Sequence, residues 1–137
     1  MSYRFLEHIS DVKIQASGKT LENAFSSAAL ALKAAVLKQE KINIKKKIKK
    51  SINVEGKDGE SLLYNFLEEF LYLLDAKDFI LSDVKNIKIS GDKLTATTIG
   101  DKASSYKISN EVKAVTYNEM FVKKEKGKYV VQFVLDV

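Results

Sequence analysis

Residues 58–75 read DGESLLYNFLEEFLYLLD, and this stretch decides the architecture. Leu63, Phe66, Leu67, Phe70, Leu71 and Leu74 recur at the 3.6-residue period of a helix and form one apolar stripe. Asp58 is placed to cap that helix, which the spacing predicts over about Glu60 to Leu74. The aromatics Tyr64, Phe66, Phe70 and Tyr72 fall mostly on the stripe, so core packing explains them better than a ligand box does. A second helix is predicted upstream, over about Leu21 to Leu37. Thr20 is its N-cap and Glu22 sits in the positive first turn. Its apolar positions, Leu21, Ala24, Phe25, Ala28, Ala29, Leu32 and Val36, are mostly small, which suits close packing on a sheet.

The rest of the chain has the period of strands. Val12 to Ser17 alternates, with Val12, Ile14 and Ala16 on one face. Tyr3 to Glu7 is short and partly apolar. In the run from Ile42 to Val54, even positions carry Ile42, Ile44, Ile48, Ile52 and Val54, although Lys46 and Lys50 interrupt that face. Phe79 to Leu81 is a short apolar run. Val84 to Ile89 and Leu94 to Thr98 flank the turn Ser90-Gly91-Asp92. Val112 to Val122 and Tyr129 to Val137 flank Glu125-Lys126-Gly127-Lys128. The expected fold is α+β: two helices packed on a largely antiparallel sheet, in a single two-layer domain over residues 1–137.

Composition narrows the chemistry. A chain of 137 residues buries ~68% of its unfolded surface, enough for a core without staples. There is no Cys, so disulfide frameworks, thiolate zinc sites and cysteine nucleophiles are excluded. The single histidine, His8, excludes multi-histidine metal sites. Of 23 basic residues, 22 are Lys, and Arg4 is the sole arginine. Forked arginine recognition of phosphate is therefore not expected. No stretch has the apolar length of a membrane span, and MSYRFLEHISD has no signal-peptide core. The expectation is a cytoplasmic chain with no membrane partner.

Three features invite a chemical reading. Glu7, His8 and Asp11 lie within five residues between two strands, as an acid/base or metal cluster would; turns made by Ser10 and Asp11 are the commoner outcome. Asp136 is adjacent to the carboxylate of Val137, an oxygen-rich pair suited to calcium or magnesium, although on the residues alone a frayed, solvated end explains it better. The lysines of residues 45–50 offer charge for an RNA backbone but lack interleaved aromatics; a solvated strand face accounts for them. Gly18-Lys19-Thr20 lacks the upstream glycine of a phosphate loop. Nothing points to an enzyme.

Four segments together resemble the archease family. Phe5-Leu6-Glu7-His8-Ile9-Ser10-Asp11 is similar to its FLEHTAD motif, and GKTLENAF at residues 18–25 to GKTLEEAF. Residues 60–75 are similar to its ESLLxxWLxELLYLFD helix, and EVKAVTYNE at residues 111–119 to EVKAVTYHE. The ending Val134-Leu135-Asp136-Val137 is similar to VLDI. The match runs through the whole chain in order.

That resemblance implies an activator rather than a catalyst. Archeases assist the RtcB-type RNA ligase of tRNA splicing: they promote guanylylation of its active-site histidine and allow multiple turnover. Some archaeal members are linked instead to a tRNA cytosine methyltransferase, as chaperone or specificity modulator. The family's metal site corresponds to Asp11, Asp136 and Val137 here, with calcium the associated ion. His8 is then placed to orient Asp11, while Lys113 and Glu119 are candidates for a partner-facing surface. Direct RNA binding is expected to be weak or absent. The chain departs from the family at Ile9 and Ser10, at Lys13 where Gly is common, at Phe66 for a frequent Trp, and at Asn118 for a frequent His. The last weighs against proton transfer there. A small hydrolase built on His8 is a further alternative, for which nucleophile and oxyanion signatures are missing.

Overall fold

The computed structural model describes residues 1–6, 11–39, 42–109 and 111–137. Helix α1 (Leu21–Val36) starts at Thr20, whose hydroxyl accepts the Asn23 N–H at 3.0 Å. Helix α2 (Gly59–Lys77) starts in a reciprocal cap. The Asp58 carboxylate accepts the Ser61 N–H at 2.7 Å, and the Ser61 hydroxyl accepts the Asp58 N–H at 3.1 Å. Two donors that a helix start leaves open are thereby satisfied. These bonds, the Ser61 N–H foremost, hold the Asp58 carboxyl below its usual range. The helix ends at Asp78, in the left-handed region at φ 52.

Seven strands form two antiparallel sheets among the described residues. One has the order β1 (Ser2–Leu6), β2 (Val12–Gly18), β7 (Lys128–Asp136), β6 (Ala114–Glu125). The other has the order β3 (Ile48–Glu55), β5 (Lys93–Lys102), β4 (Phe79–Ser90). Both helices touch both sheets. Helix α1 is accordingly buried without interruption from Ala24 through Ala29, and its small side chains permit that close approach. Phe25 and Phe66 meet at 5.9 Å between ring centroids, and Phe70 lies edge-on to Phe66 at 5.0 Å. The core thus runs through the helix pair, with Ile14, Phe133 and Leu135 from one sheet and Leu94 and Phe79 from the other.

Close approach of backbone or side chain requires glycine at Gly18, Gly56 and Gly100. A Cβ on Gly18 would sit 2.5 Å from that of Asn23, where β2 turns into α1. One on Gly100 would sit 2.1 Å from the Ile80 carbonyl oxygen, inside the β4–β5 ladder. Hairpin β6–β7 turns on Lys126 at φ 50 and Gly127 at φ 77, the two positive φ values that the tightest hairpins require.

Three expectations are corrected. The Ile42 to Val54 run is a strand only from Ile48, because the Lys45 N–H is taken by the Asp101 carboxylate at 2.8 Å rather than by a ladder partner. The runs Phe79 to Leu81 and Val84 to Ile89 form one strand, β4, with register shifts between Leu81 and Asp83 and between Lys85 and Lys88. Asn86 takes φ 54 within the second shift. Strand β5 continues past Thr98 to Lys102, and a 3₁₀ turn, Ala103–Ser105, follows.

Asp101 explains both ends of that correction. It is 1% exposed, yet its carboxylate accepts the Lys45 N–H, the Lys102 N–H at 2.7 Å and the Tyr106 hydroxyl at 2.6 Å. The Tyr106 bond foremost lowers the Asp101 carboxyl to about 2, while burial foremost pushes Tyr106 up to about 12. A carboxyl lowered on folding stabilises the fold fully above its unfolded value of about 4 and loses that contribution as pH falls toward about 2. Asp101→Asn is therefore expected to lower the melting temperature at pH 7 by several degrees, with the deficit shrinking as pH falls through that window. Thermal scans across pH check this; a deficit independent of pH would overturn it.

Candidate functional site

The register of β2 and β7 assembles the candidate site. Val12 pairs with Leu135, so Asp11 and Asp136 lie one residue beyond that pair, side by side at one end of the four-stranded sheet. Alternation sets them on the face away from the helices, together with Lys13, Gln15, Val134 and Gln132, since Ile14, Ala16, Phe133 and Leu135 face the core. Asp136 is exposed. Its backbone pairs with Ala114 in β6, and its carbonyl accepts the Lys113 N–H at 2.8 Å. The structure thus brings Asp11, Lys113, Asp136 and Val137 to one tip. His8, with Glu7 and Ser10, lies outside the described residues.

Glu119 reaches the same face by a different device. Thr116 pairs with Val134 and Phe121 with Gln132, so residues 117–120 of β6 arch out of the ladder opposite Phe133 alone. Glu119 sits in the arch at φ 55, and its carboxylate meets the Lys13 ammonium at 3.0 Å. Lys13, a departure from the family pattern, is therefore committed to an ion pair.

A chain of side-chain bonds supports the arch. The Arg4 guanidinium donates to Gln15 Oε1 at 2.8 Å, Gln15 Nε2 donates to Gln132 Oε1 at 2.8 Å, and Gln132 Nε2 donates to the Glu119 carbonyl at 2.8 Å. Gln132 is buried, so its two bonds satisfy an amide that water cannot serve, while the Arg4–Gln15 bond lies at the surface. From the helix side, Glu68 accepts the Val115 N–H at 2.9 Å, and Tyr64 stacks on Tyr117 at 4.4 Å with the rings 6° apart. Burial, then Tyr64 and Asp58, raise the Tyr117 hydroxyl above its usual range.

Arg4, Gln15, Gln132 and Glu68 escape sequence reasoning as parts of this site. Alternation places the two glutamines on one sheet face, but only the strand register shows that they touch.

The donor set at the tip is chemically suited to a hard divalent cation: two neighbouring aspartates and the Val137 carboxylate offer only oxygen. Among the described residues, no three His, Cys, Asp or Glu side chains form a metal-holding group. Among the described residues, no helix is long and apolar enough to cross a membrane.

With this geometry in place, likeness to known proteins becomes informative. The archease protein family model matches residues 3–137. The Pyrococcus furiosus archease is 39% identical over 96% of this chain and 95% of its own length. The Archaeoglobus fulgidus archease is 33% identical over the full length of both. Among solved structures, Methanobacterium thermoautotrophicum protein 1598 superposes with a TM-score of 0.75 at 28% identity, covering 98% of each chain. An archease from Thermotoga maritima, described as a possible chaperone, shares the fold at TM-score 0.62 and 20% identity, over 96% of this chain and 94% of that one. The chain belongs to the archease family.

Proposed function

We propose that this chain is an accessory protein of an RtcB-type RNA ligase, promoting the ligase's guanylylation and its multiple turnover through the acidic tip. The observation that carries the reading is the β2–β7 register, which gathers Asp11 and Asp136 from opposite ends of the sequence at one end of the four-stranded sheet. Asp11, Asp136 and Val137 would hold a divalent cation, with calcium preferred by the family resemblance and magnesium and manganese chemically close. Such an ion supplies charge stabilisation for phosphates during nucleotide transfer. The chain's own part is positioning. Strand β7, paired on both sides, holds Asp136 in place, and the Lys13–Glu119 pair fixes the arch beside it. Lys113 and the ion-paired Glu119 would then form the part of the tip that faces the ligase.

The test is multiple-turnover RNA joining by the ligase of the same organism, with this protein well below one equivalent. Strong stimulation is expected. Its absence, while a single turnover still completes, would move the assignment to the second reading.

That second reading, a chaperone or specificity modulator of a tRNA cytosine methyltransferase, draws on the description of the Thermotoga maritima relative as a possible chaperone. The aromatic pair Tyr3 and Phe5 on edge strand β1, 42% and 51% exposed, would serve a client surface. It predicts a stable methyltransferase complex and suppressed aggregation, without any effect on the ligase.

A further inference from the structure

The three-stranded sheet has a face turned away from the helices, and its chemistry is not used by the acidic tip. Ile52, Leu94 and Ala96 point into the core. Their neighbours therefore form the opposite face: Ser51 pairs across to Thr97, and Thr97 to Lys85; Thr95 pairs to Lys88. Lys49 adds a third ammonium from β3, on the same side. Ser51, Thr95, Lys49, Lys85 and Lys88 are exposed. The second register shift in β4 matters here. Without it, Lys85 and Lys88, three residues apart, would project from opposite faces of the strand; with it, both project outward.

The result is a strip of hydroxyls on the central strand, with Lys49 on one edge strand and Lys85 and Lys88 on the other, about 10 Å apart across the sheet. Of the acids on this face, Glu55 pairs with Lys93 at 3.8 Å at the far end, and Asp83 accepts the Val84 N–H at 2.9 Å. The ammoniums of Lys49, Lys85 and Lys88 have no carboxylate within ion-pair distance among the described residues.

We infer that this face binds the sugar-phosphate backbone of RNA, without regard to sequence. Separated lysines on either side of a hydroxyl strip match a chain of phosphates, and the hydroxyls of Ser51 and Thr95 are partners for ribose 2′-OH groups. No aromatic side chain lies among these residues to stack a base, so affinity comes from charge and falls steeply with salt. An anionic membrane is the poorer match, because none of the exposed large apolar side chains belongs to β3, β4 or β5. The lysine run of residues 45–50 alone favours a solvated strand; what changes the reading is that β4 contributes two more lysines across the sheet.

The test uses the protein alone, so it stands or falls separately from ligase activation. Anisotropy of a fluorescein-labelled single-stranded RNA is titrated at several salt concentrations with wild type, with the triple variant Lys49→Ala/Lys85→Ala/Lys88→Ala, and with Lys45→Ala/Lys46→Ala/Lys47→Ala. Circular dichroism confirms folding of each. The face variant is expected to bind at least tenfold more weakly at low salt, with a log–log salt slope shallower by about 2. The inference is overturned if wild type does not bind. It is equally overturned if the face variant binds as wild type does, or if polyglutamate or phosphatidylserine vesicles bind as tightly as RNA with the same lysine dependence.

Discussion

An Asp136→Ala variant is expected to stay folded and to lose at least tenfold of its stimulation of ligase charging with GMP. The side chain is exposed and outside the core, so its removal shifts stability by no more than about 0.5 kcal/mol. The proposed cation set, by contrast, would lose one of its two neighbouring aspartates, and even outlying partners of metal ligands are worth about 10–100-fold when removed. Asp11→Ala is expected to act the same way, because the β2–β7 register makes the two carboxylates one unit. Asp136→Asn separates charge from shape: it keeps the side chain's size and should fail nearly as badly. Retained stimulation in both alanine variants, with melting temperatures unchanged, would remove the acidic tip from the mechanism.

The largest loss of stability is expected at Phe66→Ala. Phe66 is fully buried in α2 and touches Phe25 of α1 and Phe70 at once, so the vacated volume lies where the two helices meet. A buried Phe→Ala change costs about 3–5 kcal/mol, out of a total of ~5–15 kcal/mol for a domain of this kind. The midpoint of urea unfolding should fall accordingly with an unchanged slope. A loss below about 1 kcal/mol would mean that the interior repacks around the missing ring.

The helices were legible because their signals are local. The 3.6-residue stripe from Leu63 to Leu74 needs no knowledge of the rest of the chain, and Thr20 and Asp58 act within three residues of themselves. Strand ends were less legible because their causes are distant. The Ile-Lys run is a strand only from Ile48, and its Lys45 N–H goes instead to Asp101, 56 positions away. Gly100-Asp101 has the composition of a turn, yet the pair lies inside β5, since the carboxylate finds three donors in the interior. The arch at residues 117–120 has no local signature, and it exists only relative to β7. The tip is the extreme case. On the residues alone Asp11 reads as part of a turn and Asp136 as part of a solvated end, and only family resemblance couples them before the register does.

That coupling carries a cost in time. The ladder joining Val12 to Leu135 closes almost the longest loop this sequence allows, and such contacts are the last that a growing or refolding chain can make. During synthesis the tip cannot exist until residue 136 has left the ribosome, so no shorter nascent chain can engage a partner through it. The position of Asp136 between β2 and β6 then means that the tip opens only when the central strand does. In hydrogen exchange, β7 amides near the tip should be among the slowest in the protein, the reverse of a frayed end. A tip assembled this way is either whole or absent, with no half-formed version.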